Sequence, residues 1–301
     1  MIKEERIKLI FRKRRIGFFH TCFEEECDLS TTIVALVNQK GGCTKTASAV
    51  NLGVGLAREG KRVLLVDNDP QASLTVSLGF AHPETLFPTL ADLMVRTVNG
   101  EPNVPGEGIL HHPEGVDLLP ANTELAGVEV ALANVADRHT ILKRVLQPYR
   151  DVYTHILIDC GPSMGMLTLN AMAAADRIII PMQAQYLPVK GVEQLLKNIS
   201  NAKRFVNPGL KIDGILISML DARTKSSRYI STLIHEVYGG HIKVFDTTIP
   251  RSIRVAEAAA YGRSVFAHDP HGRAAMAYED LTKEVLDLEK KRQRAKSDMV
   301  R

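Results

Sequence analysis

Two lysines five residues apart, Lys40 and Lys45, enclose Gly41, Gly42, Cys43 and Thr44, and Thr46 follows at once. The apolar run Ile33–Val37 precedes this turn, and a helical pattern from Ala47 to Glu59, closed by Gly60, follows it. A glycine-rich turn between strand and helix directs backbone N–H groups at an anion, and the helix dipole favours negative charge at the same point. On that geometry Lys45 reaches the β- and γ-phosphates of a nucleotide and the Thr46 hydroxyl ligates Mg2+. Carboxylates follow at two further places, Asp67 and Asp69 after the run Val63–Val66, and Asp159 after Ile156–Ile158. Acids at the C-terminal ends of parallel strands stand in the crevice where such sheets bind ligands.

The elements that must hold these groups are legible as runs of strand length: Ile33–Val37, Val63–Val66, Val116–Leu119, Ile156–Ile158, Ile178–Ile180 and Ile215–Ile217. They are continuously apolar rather than alternating, and helical patterns separate most of them, which predicts an α/β fold: a doubly wound, mostly parallel sheet with helices on both faces. Residues 80–115, rich in Pro and Gly, read as loops around one short helix near Leu90–Arg96, with the pair His111-His112 in a solvated loop and without a role. The predicted organisation is a leader over 1–30, a single ATPase-like domain over 31–290 and a charged, solvated tail over 291–301. The leader carries charges of both signs and no core face; it is expected to be disordered or to lie upstream of the true start, with Leu29 as a TTG codon.

At 301 residues, 45% hydrophobic and 24% charged, the chain can bury a sizeable core, and no run approaches the length of a membrane span. Cys22, Cys27, Cys43 and Cys160 are scattered and form neither a disulfide framework nor a zinc pattern, so a cytoplasmic protein is expected. The net charge of +4 identifies no partner by itself. From Asn201 to Ala275, however, eleven Lys and Arg face six Asp and Glu. A basic face of that kind binds nucleic-acid phosphates without regard to sequence.

The pattern G-x-x-x-x-G-K-[ST] fails here, because Gln39 and Thr44 stand where its glycines belong. Lys40-Gly41-Gly42-x-x-Lys45-Thr46 instead resembles the deviant Walker A motif of the ParA/MinD/nitrogenase iron-protein superfamily of P-loop ATPases. The resemblance implies that residues 40–47, including Ala47, bind ATP, that Lys45 serves the subunit's own nucleotide, and that Lys40 reaches the nucleotide of a partner subunit. A cation supplied in trans ties catalysis to dimerisation. Asp67-Asn68-Asp69-Pro70-Gln71 resembles the family's D-x-D-P-Q motif, which implies that Asp69 positions the attacking water and Asp67 supports Mg2+. Asp159-Cys160-Gly161-Pro162-Ser163 resembles its Walker B loop, with Gly161 in place of a proline, and Asp159 then holds Mg2+ through water. Thr44 stands where the family usually has Gly. Relatives with Ala there imply that Gly is not strictly required, so ATP binding should survive, with slow turnover, although a positive φ would cost a residue branched at Cβ roughly 1–3 kcal/mol of strain.

The segments 118–125, 167–171, 218–224 and 248–254 resemble the Soj-type ParA proteins of chromosome partitioning. That branch implies an ATP-bound homodimer on non-specific double-stranded DNA, released by a ParB-like centromere-binding protein, and nucleoid association. Motif match nominates Arg223 as a DNA contact, with Arg251 and Arg254 behind it, while Pro250 and Arg251 lie near the adenine in relatives. Other branches fit less well. The C-terminus is too polar for a membrane-binding helix, the cluster-ligating cysteines of the iron protein are missing, and with roughly 30 residues before the loop operator-specific binding is not expected. The letters Gly161 to Gly165 also spell G-x-S-x-G, a serine nucleophile elbow with Asp246 and His268 or His271 as partners, which would leave the phosphate loop unexplained. The stronger alternative is a metabolic enzyme on the same scaffold, related to cobyrinate diamide or dethiobiotin synthases.

Overall fold

The computed structural model describes residues 31–184 and 189–300. Its strands are β1 (Thr32–Leu36), β2 (Val63–Asn68), β3 (Leu110–His111), β4 (Val116–Leu119), β5 (His155–Cys160), β6 (Arg177–Gln183) and β7 (Lys211–Ser218). Its helices are α1 (Lys45–Arg58), α2 (Ser73–Ser77), α3 (Leu90–Val98), α4 (Glu124–Leu132), α5 (Ile141–Leu146), α6 (Met166–Ala174), α7 (Val189–Phe205), α8 (Lys225–Tyr238), α9 (Ile253–Ala260), α10 (Val265–His268) and α11 (Arg273–Val300). The predicted leader and its two cysteines lie outside the described residues.

All six apolar runs become strands of one seven-stranded sheet, ordered β3-β4-β2-β5-β1-β6-β7. Every pairing is parallel except the short edge pair of β3 with β4. Burial on both faces is what makes the runs continuously apolar. Ile33, Ala35, Leu64, Ile156 and Ile178 point into one core layer, while Val34, Leu36, Leu65, Leu157 and Ile179 point into the other. The second layer is closed by α1 and α11, where Tyr278 and Leu281 are fully buried. Helix α1 can lie close against the sheet because a methyl group on Gly53 would come within 2.6 Å of Leu65 Cδ2.

One expectation changes in part. His111 stays exposed but stands on β3 and pairs with Asp117 (Nδ1 to Oδ1, 2.6 Å) across the β3–β4 edge, whereas His112 is buried and lies 3.1 Å from the Gly262 carbonyl through Nε2. A strand of two residues leaves no periodicity to read. The charged segment from 291 continues α11, which runs on to Val300. Arg292 reaches back to the buried Asp213 of β7 (Nη2 to Oδ1, 2.7 Å), and Glu289 meets His155 at the start of β5 (3.1 Å).

The chain leaves β1 toward β2 on one side and returns through β5 to β6 on the other, so the strand order reverses beside β1. Ligands of open α/β sheets bind at such a switch point, outside the C-terminal ends of the strands.

Candidate functional site

Residues 38–44 cross that edge. Asn38 Nδ2 donates to the Pro181 carbonyl (2.6 Å), while its Oδ1 accepts from Lys40 N (3.0 Å), which fixes the start of the turn. Gly42 and Thr44 both take left-handed backbone angles, with φ of 70° and 68°. A positive φ is therefore taken at Thr44 without Gly. A loop that folds its N–H groups inward ahead of a helix turns left-handed there whichever residue occupies it. The Thr44 carbonyl accepts from Ser48 N (2.8 Å), its side chain does not cap α1, and its buried Oγ1 has no hydrogen-bond partner. The opening N–H groups of α1 thus face the loop, ready for an anion.

Thr44→Gly tests the cost of this arrangement. Relief of about 1–2 kcal/mol of left-handed strain is set against about 0.5–1 kcal/mol lost to glycine's freer unfolded chain. The expected net gain of about 1 kcal/mol includes loss of the unpaired hydroxyl. Thermal melting measures it, and nucleotide affinity should stay within about threefold, because backbone N–H groups make the contacts.

Lys45 and Lys40 are placed differently. Lys45 is buried, its Nζ 3.4 Å from the Lys40 carbonyl and 3.8 Å from Cys43 Sγ, whereas Lys40 is exposed at the rim. Thr46 Oγ1 donates to Asp159 Oδ2 (2.6 Å). Asp159 Oδ1 is buried without a hydrogen-bond partner. Register puts Asp67 of β2 directly beside Asp159 of β5. Asp67 Oδ2 accepts from Thr75 N (2.8 Å) and Thr75 Oγ1 (2.7 Å), and its Oδ1 accepts from Asp69 N at 3.3 Å. Burial pushes Asp67 up to about 7 and Asp159 up to about 8; Thr75 pulls Asp67 back while Asp69 raises it, and Asp67 raises Asp159 further while Thr46 and Lys45 pull it back. Two desolvated carboxylates with an unpaired oxygen and an adjacent hydroxyl form an oxygen-only donor set that suits a hard cation such as Mg2+. Thr46 and Asp159 would hold it, with Asp67 anchored one step behind.

Asp69 Oδ1 accepts from Gln71 N (3.0 Å), and its carboxylate lies over Gly161, where a methyl group would stand 3.2 Å from Asp69 Cγ. On the far side the Gln183 amide, at the end of β6, donates to the Gly42 carbonyl, and Ser218 Oγ, at the end of β7, lies 3.4 Å from the Cys43 carbonyl. Sequence reasoning gave neither residue a role; their only signal is their position at the C-terminal ends of strands flanking the loop.

From Ser218 the chain passes to Leu220, which bridges to Pro250, so Pro250 and Arg251 stand on the same edge as the loop. Arg223 and Arg251 are exposed here. The Arg223 backbone N–H, then its guanidinium, with Arg251 adding, holds the Asp221 carboxyl below its usual range. Arg254 sits apart on α9, paired with Glu257 at 2.8 Å. Ser163 is exposed, but the acid nominated for it and one of the two nominated bases are engaged elsewhere, Asp246 with Lys243 (3.7 Å) and His268 with Glu257 (3.3 Å).

Fold and site together define an α/β protein of the P-loop class, with a phosphate loop facing a buried carboxylate pair. A family model described as an AAA domain matches residues 31–212. The sporulation initiation inhibitor protein Soj of Bacillus subtilis is 39% identical over 253 residues, covering 84% of this chain and 97% of that protein. The chromosome partitioning protein ParA of Caulobacter vibrioides is 37% identical over 263 residues, 87% of this chain and 96% of its own. Among solved structures, a cobyrinic acid a,c-diamide synthase from Mycobacterium smegmatis with bound ATP analog and magnesium superimposes with a TM-score of 0.75 at 36% identity, over 85% of this chain and 94% of that one. The chain belongs to the Soj/ParA family of ATPases. Among the described residues no helix is long and apolar enough to cross a membrane.

Proposed function

We propose that this protein is a Mg-ATP-dependent ATPase that dimerises around its nucleotides, holds double-stranded DNA without sequence preference as a dimer, and works with a ParB-like protein in segregating a chromosome or plasmid on the nucleoid. The observation that carries this reading is the contrast between the two lysines of one loop. Lys45 is buried before the carboxylates and serves its own nucleotide, while Lys40 is exposed at the rim, free to act across a subunit interface. Asp69 orients the attacking water. Arg223, whose side chain is 91% exposed, and Arg251 extend the site's edge toward DNA phosphates, with Arg254 contributing more weakly because Glu257 engages it.

Retention on arbitrary duplex DNA, measured with Mg-ATP, Mg-ADP and no nucleotide, tests the reading. Binding is expected with Mg-ATP alone and should fall at least about tenfold as salt rises from about 50 to about 200 mM. Lys40→Ala removes it by failed dimerisation and Arg223→Ala weakens it about tenfold by loss of a phosphate contact. No retention in any state removes the DNA role. The identity shared with the M. smegmatis synthase supports a second reading, amide formation on a small carboxylic acid. ATP consumption that depends on such an acid, and not on DNA, would favour it.

A further inference from the structure

Helix α4 meets the nucleotide site at Leu167, in the first turn of α6. The Leu167 N–H donates to Glu129 Oε1 of α4 (3.3 Å), and the Leu167 carbonyl accepts from Asn68 Nδ2 (3.0 Å). Asn68 is buried and lies between Asp67 and Asp69. The loop between Asp159 and α6 is fastened to the same point, because Thr168 Oγ1 donates to the Ser163 carbonyl at 2.6 Å. Glu129 also fills the space over Gly165, where a methyl group would collide with its Oε1 and stand 3.0 Å from its Cδ. At the other end of this loop Gly161 packs beneath the Asp69 carboxylate. One glutamate on a different helix thus limits the α6 end of the segment whose other end meets Asp69.

We propose that Glu129 is a positioning residue for hydrolysis: through Leu167 it holds the loop 161–165 and Asn68 in register, and so sets where the Asp69 carboxylate stands. The proposal rests on the ATPase reading and concerns turnover rather than nucleotide binding, since the phosphate loop and Lys45 take no part in the tie. Glu129 needs to accept a hydrogen bond, and a glutamine oxygen can replace it there.

The experiment compares the full chain with Glu129→Ala and Glu129→Gln, reading kcat and KM for Mg-ATP together with amide hydrogen exchange over residues 161–168. In Glu129→Ala the kcat is expected to fall about five- to tenfold with KM within about twofold, the pattern of a group felt only in the transition state. Exchange over 165–168 should quicken at least about tenfold as the Leu167 N–H loses its acceptor. Glu129→Gln should recover most of both. Unchanged exchange in the alanine variant overturns the tie. Faster exchange with unaltered kcat overturns its reach to Asp69, and glutamine no better than alanine overturns the hydrogen-bond basis. A parent chain that hydrolyses no ATP removes the ATPase reading instead, and exchange over 161–168 still decides whether the tie exists.

Discussion

Lys45→Ala is expected to lower ATP affinity about a hundredfold while changing the stability of the nucleotide-free chain by less than about 1 kcal/mol. The loss follows from geometry. Lys45 is the buried cation of the loop, and a phosphate bound at the start of α1 replaces the Lys40 carbonyl, 3.4 Å away, as its partner. A charge-assisted contact of this kind in a water-excluded site contributes about 3 kcal/mol. The small effect on the empty protein follows from two opposed terms. Removing a desolvated ammonium helps, and taking away the cation that favours ionised Asp159 hurts. Asp159 limits the second term by staying protonated, since burial already pushes it up to about 8. Melting with and without Mg-ATP separates the two. At a hundredfold excess over Kd the parent gains about 2.7 kcal/mol, a rise of several degrees that Lys45→Ala should not show. Affinities of parent and variant within about threefold would remove Lys45 from the site.

The buried strands were legible because each is apolar on both faces, and the phosphate loop because two lysines and two glycines in one turn have few other uses. Asp67, Asp69 and Asp159 were legible from the strands before them. The parts that stayed hidden depend on where the sheet brings distant segments together. Gln183 and Ser218 belong to the loop only because β6 and β7 end beside it, and Glu129 matters only because α4 passes over Gly165. The left-handed backbone at Thr44 was hidden for another reason. A residue's type states its preference, and here the strand-to-helix connection overrides that preference. Edge pairing gave His111 its partner across only two strand residues, below any periodicity, and His112 meets Gly262, 150 residues further along the chain.

Asp159→Asn should make the nucleotide-free protein more stable at pH 8 and Mg-ATP binding weaker. Both carboxyls of the pair are raised, Asp67 to about 7 and Asp159 to about 8, first by burial and, for Asp159, then by the charge of Asp67. Their ordinary value is near 4, so the unfolded chain gives up these protons first. Between about pH 4 and pH 8 the folded state therefore binds more protons, and stability falls as pH rises through that window. Asparagine keeps an oxygen for the Thr46 hydroxyl and carries no charge, which relieves the desolvation and the repulsion of Asp67. The gain at pH 8 should reach at least about 1 kcal/mol, or about 2–4 °C in Tm, and the difference from the parent should shrink toward pH 5. The opposite holds once nucleotide and metal are supplied. The Asp159 oxygen that has no hydrogen-bond partner is the one a cation can use, and an amide nitrogen in its place cannot ligate it. Addition of Mg2+ should then strengthen ATP binding to the parent about tenfold more than to the variant, by titration with and without chelator. A variant less stable than the parent at pH 8, or one whose ATP affinity responds to Mg2+ as the parent's does, would mean that the empty pair is held by something other than the waiting cation site inferred from its unpaired oxygen.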